Sequence, residues 1–329
     1  MPGAGHPAKD LSDVPEGGRG LPAFERHDVG QALRDLRWLL LSPPLLAQGR
    51  FAAEVQWFRH EERHAIEDWL KALQRDPRPL QEALEHTGAA PLRLGRHAER
   101  LLEFFLRAGP THHLVAANLP LRGPSHGKGP TTVGEIDFLL EDAAGRAWHW
   151  ELAVKFFLCV APGSQARAED FIGPDPSDTL AGKLQALFER QLRRTPPKPW
   201  HERAWQPAAY TRGWMFHRLG QPPAACDALS GQHLRGQWLP FAEMGRLSLA
   251  RYLVPPRALW MSPVQAGESD ALMQRDELPG EIRKLWGQAS PRPHTPRLVA
   301  QMEPARAEVW QEVQRYFVVP DGWPAGHHS

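Results

Sequence analysis

VGEIDFLLEDAAGRAWHWELAVKFF, residues 133–157, consists of two alternating runs on either side of the turn-forming residues 142–145. Side chains of a β-strand point to opposite faces in turn, with a period of two residues. Alternation of apolar and polar residues predicts a strand with one buried face. The two runs therefore predict a β-hairpin around a turn that contains glycine. The residues of the predicted buried face are Ile136, Phe138, Leu140, Trp148, Trp150, Leu152, Val154 and Phe156.

The other face of this hairpin carries charge. If the hairpin is symmetric about Ala144, Asp137 lies opposite Glu151, and directly opposed residues have Cβ atoms about 5 Å apart. Two carboxylates at that distance repel unless a cation lies between them, and a divalent ion with oxygen ligands suits the position. Lys155 lies further along the same face. The alternative is a solvated face with no chemistry, and a one-residue change of register would remove the opposition.

The segments around the hairpin predict an α/β fold. Their order from residue 92 to residue 220 is helix, three strands, helix and strand, with Asp178 as the N-cap of the second helix. The predicted elements are a helix over Gly95–Arg107, strands over His113–Leu121, Val133–Glu141 and Arg146–Phe157, a helix over Thr179–Arg194, and a strand over Ala208–Leu219.

The remainder of the chain predicts three further regions. Residues 1–24 are rich in Gly, Pro and charge, which predicts a disordered N-terminal segment. Residues 25–91 form a helical region, and residues 221–329 form a C-terminal α/β extension on the same sheet, which ends in a tail. The predicted elements here are helices over Val29–Leu41, Glu61–Leu73, Leu80–His86 and Glu277–Trp286, short strands over Arg257–Ser262 and Arg297–Met302, and a tail over Pro320–Ser329.

Composition excludes several classes of protein. The chain has 329 residues, two cysteines and a net charge of +1. Two cysteines exclude a disulfide scaffold and a cysteine-based zinc finger. No apolar run approaches the ~20 residues that span a bilayer, and the N-terminus has no apolar core of the kind found in secretory signals. The sequence therefore predicts a cytoplasmic protein that does not enter a membrane. The balanced charge argues against binding of polyanions by the whole surface, but it leaves room for a local basic groove.

Residues 179–220 are locally basic. They contain eight basic and two acidic residues, a local charge of +6. Arginine and lysine contacts to phosphates supply affinity for nucleic acid without a choice of sequence. Lys183, Arg190, Arg193 and Arg194 are the candidates for such contacts, and a solvated helix face is the alternative. The interleaved aromatic residues are expected to serve the core, because large aromatics usually do, and stacking on bases is the alternative. They are Trp200, Trp205, Tyr210 and Trp214.

A second motif indicates different chemistry. His60-Glu61-Glu62-Arg63-His64 satisfies the HExxH pattern, in which two histidines on one helix face bind zinc and the glutamate acts as general base. Glu82 and Glu85 are candidates for the third ligand. The charged residues between the two histidines favour an ordinary solvated helix face, so a zinc peptidase is the weaker alternative.

The hairpin and its neighbours resemble the PD-(D/E)XK nuclease superfamily, also described as restriction-endonuclease-like. Gly134-Glu135-Ile136-Asp137 resembles the acidic motif of the second strand, and Trp150-Glu151-Leu152-Ala153-Val154-Lys155 resembles the Glu-x-Lys motif of the third. This resemblance covers about residues 92–220. The wider sequence is similar to an uncharacterised bacterial domain-of-unknown-function family linked to this superfamily, along most of the chain.

The resemblance implies hydrolysis of phosphodiester bonds in DNA or RNA with Mg²⁺ or Mn²⁺ as cofactor. Asp137 and Glu151 would hold the metal, with Glu99 of the preceding helix as a ligand directly or through water, and Lys155 would complete the catalytic set. Lys183 and Gln191 match positions at which relatives place polar residues that face the substrate.

One departure from the superfamily pattern bears on activity. The pattern places lysine two residues after the glutamate, where this chain has Ala153, and Lys155 lies about 6.6 Å further along the strand. Lysines that have migrated in this way occur in the superfamily. The sequence therefore leaves two hypotheses open: an active metal-dependent nuclease, and a catalytically degenerate nuclease fold that serves as a binding or interaction module.

Overall fold

The computed structural model describes residues 29–85, 93–123, 132–267, 271–288 and 295–324. The predicted disordered segment 1–24 and residues 325–329 of the predicted tail lie outside the described residues. The helices are α1 (Val29–Leu41), α2 (His60–Arg75), α3 (Arg78–Glu85), α4 (Leu94–Ala108), α5 (Leu180–Leu184), which continues as a π-helix over Gln185–Gln191, and α6 (Leu278–Gln288). No helix in these described segments is long and apolar enough to cross a bilayer.

The described strands form one mixed sheet, so the predicted α/β class is confirmed. They are β1 (Glu54–Val55), β2 (His112–Arg122), β3 (Thr132–Asp142), β4 (Ala147–Cys159), β5 (Phe171–Ile172), β6 (Gln206–Arg218), β7 (Leu234–Pro240), β8 (Arg251–Leu253), β9 (Gln265–Gly267), β10 (Met273–Gln274), β11 (Arg297–Arg306) and β12 (Val309–Val319). The strand order is β10-β8-β11-β12-β7-β6-β4-β3-β2, with β1, β5 and β9 attached at the sides.

The sheet combines antiparallel and parallel pairs. Strands β2, β3 and β4 form an antiparallel meander, β6 runs parallel to β4, and β7 runs parallel to β6. Strand β12 joins β7 in parallel and continues through β11 to β8 and β10 in antiparallel fashion. The C-terminal strands therefore extend the sheet that contains the hairpin. The division at residues 24, 91 and 220 stays a prediction.

The hairpin has the predicted symmetry about Ala144. Phe138 pairs with Trp150 and Leu140 pairs with Trp148. The predicted apolar face packs beneath α1 and α4 in the largest core cluster, which also includes Tyr210 of β6. Alternation with period 2 thus positions both strands, because a slip of one residue would expose these aromatic rings.

The opposite face of the same strands is also covered. Leu180 and Leu187 of the α5 and π-helical segment pack with Phe157, Ala209 and Met215. Polar side chains on this face therefore lie beneath a helix, which the alternation alone does not indicate.

Two local predictions are wrong. The N-cap of α5 is Thr179, whose hydroxyl accepts a hydrogen bond from Gly182 N at 3.1 Å, while the carboxylate of Asp178 pairs with Lys155. The segment predicted as a strand over Arg257–Ser262 begins instead as a 3₁₀ helix over Arg257–Leu259. Two prolines precede that turn, and proline has no N–H to donate to a strand ladder.

Candidate active site

Asp137 lies where β3 separates from β4. The backbone pairing of the two strands ends at Phe138 and Trp150. Beyond that pair, Asp137 contacts β4 through its side chain and not through its backbone. Leu152 N donates to Asp137 Oδ2 at 2.8 Å. This contact satisfies a backbone donor that the diverging strand leaves unpaired, and it fixes the carboxylate on the covered face of the sheet.

Glu151 is fully buried on the same face and is held from two sides. Its Oε1 accepts from His149 Nε2 at 2.9 Å, and its Oε2 accepts from Gln191 Nε2 at 2.9 Å. The histidine is buried on β4, whereas the glutamine belongs to the π-helix. The alternative of a solvated polar face is therefore wrong at Glu151.

The two carboxylates affect each other electrostatically. Burial raises the pKa of Asp137 well above its ordinary range, and the nearby charge of Glu151 raises it further. Glu99 adds to this rise, while the Leu152 hydrogen bond and the Lys183 ammonium oppose it. The protein thus brings together like charges at a cost that a cation between them would offset.

Two lysines accompany the acidic pair. Lys183 Nζ donates to Gln191 Oε1 at 3.0 Å, so the ammonium is connected to Glu151 through the amide. Burial lowers the pKa of Lys183, the charge of Lys155 lowers it further, and Asp137 and Glu151 oppose this shift. Lys155 Nζ lies 2.6 Å from Asp178 Oδ2. The lysine predicted for catalysis therefore has a carboxylate partner outside the acidic pair.

Glu99 approaches the site from α4. Arg96 Nη1 lies 2.6 Å from Glu99 Oε2 and 3.4 Å from Glu135 Oε1, and it also donates to Asn118 Oδ1 at 3.0 Å. Burial raises the pKa of Glu99, the Arg96 guanidinium opposes that rise, and Glu135 and Glu151 add to it. Glu99 is therefore an electrostatic neighbour of Asp137 and Glu151 that is bonded to an arginine.

The predicted nucleic-acid contacts divide into two groups. Arg194 Nη1 donates to Glu135 O at 2.7 Å, and its guanidinium covers Gly134, where a Cβ would lie only 2.7 Å from Arg194 Cζ. Arg190 and Arg193 are exposed on the outer side of the same segment. Tyr210 and Trp214 are buried core residues, as expected, whereas Trp200 and Trp205 are half-buried and belong to none of the core clusters of the described residues.

The donor set permits a cation held by two carboxylates. Asp137 Oδ1 accepts no hydrogen bond from the described residues, and the bonded oxygens of Glu151 each keep a second lone pair. No group of three or more His, Cys, Asp or Glu side chains in the described segments is arranged to hold a metal. Mg²⁺ commonly binds through one or two carboxylates and retains several waters. The residues present therefore fit such an ion with water as its remaining ligands.

The HExxH residues form a surface feature of α2. His60 and His64 are exposed, their ring centroids lie 4.3 Å apart, and His64 Nδ1 bonds to His60 O at 3.0 Å. Glu82 and Glu85 belong to the separate helix α3 and form no ligand group with them within the described chain.

Sequence reasoning missed the supports of the site. The sequence does not indicate that His149 and Gln191 hold the carboxylate of Glu151. It also does not indicate that Arg96 bridges Glu99 and Glu135. The alternation places His149 on the same face as Glu151, because residues i and i+2 of a strand share a face, but it does not show that the imidazole holds the carboxylate.

The chain belongs to the family described as "Domain of unknown function (DUF1853)", whose model matches residues 34–319. That match covers α4, the hairpin and the π-helix, and therefore every residue of the candidate site. Comparison with curated proteins found no match, and comparison with solved structures found none either.

Proposed function

We propose that this protein is a metal-dependent nuclease that hydrolyses phosphodiester bonds in nucleic acid. The observation that carries the proposal is the acidic pair: Asp137 and Glu151 lie on one covered face of a hairpin, and the pKa of Asp137 is raised by burial and by its neighbour. The order of helix, three antiparallel strands, helix and parallel strand supports the proposal, because it resembles the PD-(D/E)XK core.

Asp137 and Glu151 would hold Mg²⁺ or Mn²⁺ in this proposal, with Glu99 acting directly or through water. When bound, such an ion lowers the pKa of a coordinated water and neutralises charge on the scissile phosphate. His149 and Gln191 fix both oxygens of Glu151, so the carboxylate is oriented before substrate arrives.

The basic residues of the following segment would receive the nucleic acid. Lys183 offers a partly buried ammonium beside the acidic pair, where it can stabilise developing negative charge. Arg190 and Arg193 are exposed and can contact phosphates, which supplies affinity independent of sequence. DNA and RNA are both substrates of this class, and the cleavage assay distinguishes them.

The test combines metal binding with cleavage. Calorimetric titration with Mn²⁺ is performed on the wild type, Asp137→Asn and Glu151→Gln, and single- and double-stranded DNA and RNA are assayed for cleavage with the same samples. Asp68→Asn is the matched control, because Asp68 is exposed on α2 and pairs only with Lys71 among the described residues. We expect saturable binding and cleavage in the wild type and control, and neither in the two site variants.

A second function, that of a nuclease fold that binds without cutting, is favoured by one observation. The usual lysine position is Ala153, and Lys155 is engaged with Asp178 at 2.6 Å. If this function holds, nucleic acid binds and Arg190→Gln or Arg193→Gln weakens that binding, while no substrate is cut with Mn²⁺ present. Cleavage that requires Asp137 and Glu151 would contradict it.

A further inference from the structure

The guanidinium of Arg96, on α4, is held through one nitrogen only. Its Nη1 donates to Glu99 Oε2 at 2.6 Å, to Asn118 Oδ1 at 3.0 Å and to Glu135 Oε1 at 3.4 Å. Within the described chain, Nε and Nη2 have no acceptor. Because an arginine carries five N–H donors, the three on Nε and Nη2 remain for a partner from outside the chain.

This guanidinium is also the outermost part of its cluster. The side chain of Arg96 is 51% exposed, whereas those of Glu135 and Glu99 are 33% and 25% exposed. Arg194 brings a second guanidinium to the same residue of β3, because its Nη1 donates to Glu135 O at 2.7 Å. Two cations therefore accompany the two carboxylates, and an anion that approaches from solvent meets Arg96 first.

Glu99 connects this arginine to the acidic pair. Its carboxylate is bonded to Arg96, and its charge helps to raise the pKa of Asp137. The charge of Glu151 in turn helps to raise the pKa of Glu99. Arg96 is thus one ion pair away from the acids of the candidate site, on the side that is open to solvent.

Asn118 of β2 has an unusual backbone at this place. Its φ is +53°, in the left-handed region, which residues other than glycine rarely adopt and which asparagine tolerates best. The pairs on either side, Ala117 with Phe138 and Leu119 with Ile136, place it opposite Asp137. Backbone strain of this kind is concentrated at functional sites, so a role for the side chain of Asn118 is expected.

The amide of Asn118 joins two residues of α4. Its Oδ1 accepts from Arg96 Nη1 at 3.0 Å, and its Nδ2 donates to Glu103 Oε2 at 3.2 Å. Both ends of the amide are therefore fixed, and the amide holds the guanidinium of Arg96 in one orientation relative to the strand that carries Asp137.

We propose that Arg96 binds a phosphate of the nucleic acid through its Nε and Nη2 edge, and that Asn118 is a positioning residue for this guanidinium. The planar fork of arginine matches two oxygens of one phosphate. Such a contact fixes the position of the strand without a choice of sequence. The proposal rests on the proposed function, because the phosphate belongs to a strand bound at the acidic pair, but it does not require that the strand is cut.

The test measures binding of short fluorescein-labelled DNA and RNA, single-stranded and duplex, by fluorescence anisotropy. Titrations of the full chain are made in Ca²⁺, from about 50 to about 200 mM KCl, the range over which phosphate contacts change affinity strongly. Gel electrophoresis shows that the oligonucleotide stays intact, and thermal unfolding shows that each variant is folded.

The variants at position 96 are Arg96→Gln and Arg96→Lys. Arg78→Gln is the matched control, since Arg78 is an exposed arginine of α3 that pairs with Asp76 at 2.7 Å.

We expect Arg96→Gln to lose about tenfold in affinity, the loss that removal of a hydrogen bond between charged groups produces. The slope of log affinity against log salt should become shallower by about 0.7–0.9, the contribution of one phosphate contact. Arg96→Lys should keep the slope but bind more weakly than the wild type, because an ammonium lacks the fork. The control should equal the wild type. An unchanged salt slope in Arg96→Gln would overturn the proposal, since a purely structural arginine neutralises no phosphate.

Asn118→Gly tests the positioning role. Glycine adopts the left-handed backbone freely, so this variant removes the amide without adding strain. We expect binding about threefold weaker than in the wild type, as for the loss of one ordinary hydrogen bond. In the Arg96→Gln background the same substitution should have no further effect, because residues that act through one another are not additive. An equal loss in both backgrounds would overturn the positioning role.

Cleavage of the same oligonucleotides in Mn²⁺ separates this proposal from the proposed function. Binding that depends on Arg96 without any cleavage supports the phosphate contact and contradicts the nuclease. Cleavage with unchanged affinity and salt slope in Arg96→Gln overturns the phosphate contact alone. Absence of nucleic-acid binding by the wild type overturns both. If Arg96→Gln does not fold, Asn118→Gly decides, and unchanged affinity in that variant overturns the proposal.

Discussion

At the scale of single residues, Asp137 is subject to opposing forces. The hydrogen bond from Leu152 N favours its charged form, whereas burial and the charge of Glu151 favour its neutral form, and these two effects prevail because the pKa is raised. Ionisation of Asp137 therefore destabilises the folded protein when no cation is present. An asparagine at position 137 would still accept the hydrogen bond from Leu152 N and would remove the negative charge.

Asp137→Asn should consequently stabilise the metal-free protein at pH 7. A carboxyl whose folded-state pKa is raised contributes stability that is present below its unfolded pKa, about 3.9, and is lost as the pH rises through the folded value. The gain in Tm should therefore be largest at neutral pH and should vanish near pH 4. Each kcal/mol of added stability raises Tm by roughly 2–4 °C. Thermal unfolding in EDTA from pH 4 to pH 8 measures it.

Adding Mn²⁺ supplies the control for this prediction. An ion that binds only the folded state raises Tm, so the wild type should gain stability and the variant should not. A Tm for Asp137→Asn below that of the wild type at pH 7 in EDTA would show that the charge is stabilised by the protein itself.

The two lysines should differ in their importance for cleavage. Lys183 is connected to Glu151 through Gln191, whereas Lys155 is paired with Asp178. Resting on the proposed nuclease activity, we expect Lys183→Met to lower the single-turnover rate by about 10²-fold or more, the typical loss on removal of one electrostatic stabiliser. Lys155→Met should lower it by much less.

Lys198→Met is the control for this pair, because Lys198 is an exposed residue of the same basic stretch. Assays at saturating Mn²⁺ and substrate separate the rate from binding. A larger loss of single-turnover rate for Lys155→Met than for Lys183→Met would contradict this prediction. It would indicate that Lys155, the lysine of the sequence motif, is the catalytic one.

At the scale of elements, the alternation of apolar residues and their helical spacing predict most of the helices and strands around the hairpin. Helix α1 has its predicted bounds, Val29–Leu41, and the register of β3 against β4 follows from the symmetry about Ala144. These elements were predictable because each buries a periodic apolar face. The same symmetry predicts Asp137 opposite Glu151, but the ladder ends one pair earlier, at Phe138 and Trp150, and Asp137 instead accepts a hydrogen bond from Leu152 N.

The segment after Asp178 shows what spacing did not reveal. A continuous helix was predicted over Thr179–Arg194, but α5 ends at Leu184 and a π-helix follows. Leu187 and Leu192 are both buried and lie five residues apart, and Leu192 N bonds to Leu187 O at 2.9 Å. The five-residue spacing carried the signal for this geometry, which often occurs at functional sites.

The sequence does not predict the contacts between segments that lie far apart along the chain. Gln191 is forty residues from Glu151 along the chain, and Asp178 reaches Lys155 only because the intervening loop folds back over the sheet. Periodicity describes which face a residue occupies, but it contains no information about which loop covers that face. The alternation therefore indicates which face of the sheet these acids occupy, but it does not indicate their partners.

Among the described glycines, Gly213 of β6 leaves the least room for a side chain. It pairs with Lys155, and a Cβ there would lie 1.9 Å from Lys155 O. Gly213→Ala must separate β6 from β4 or distort both, so we expect it to lower the free energy of unfolding by about 1–3 kcal/mol, as overpacking does. Urea denaturation followed by circular dichroism measures the change.

Gly280→Ala is the matched control for this substitution. A Cβ at Gly280, in the first turns of α6, meets nothing within 4 Å, and alanine is the better helix former. It should be neutral or stabilising by up to about 1 kcal/mol. Equal effects at the two glycines would indicate that the close approach of β6 to β4 relaxes without cost.

At the scale of the whole molecule, one core crosses the limit predicted at residue 220. The largest buried cluster joins Leu36 of α1 and Trp150 of β4 with Trp260 and Phe317 from the C-terminal hundred residues. Strand β7 pairs directly with β6. The C-terminal region is therefore part of the sheet that carries the candidate site, where the sequence places it, but the sequence does not indicate that the two regions share one buried core.

A chain that ends after residue 220 should accordingly fail to fold. It would expose the edge of β6, remove Phe317 from its ring contact with Phe216 at 4.6 Å, and leave Trp214 Nε1 without Met261 O as its acceptor. All of these contacts belong to one buried surface. Because the free energy of unfolding of a domain is a small difference between large opposing contributions, we expect their loss to unfold the shortened chain.

We expect the full chain to unfold in one transition, with coincident midpoints by tryptophan fluorescence and far-UV circular dichroism, and the shortened chain to show no cooperative transition. A shortened chain with its own sharp transition would mean that the acidic pair belongs to an independent domain. The C-terminal strands would then be a docked addition, and the site's stability would be independent of them. The shared core argues for the opposite, because Trp260 and Phe317 pack on each other and Trp260 also packs on Phe156 of β4.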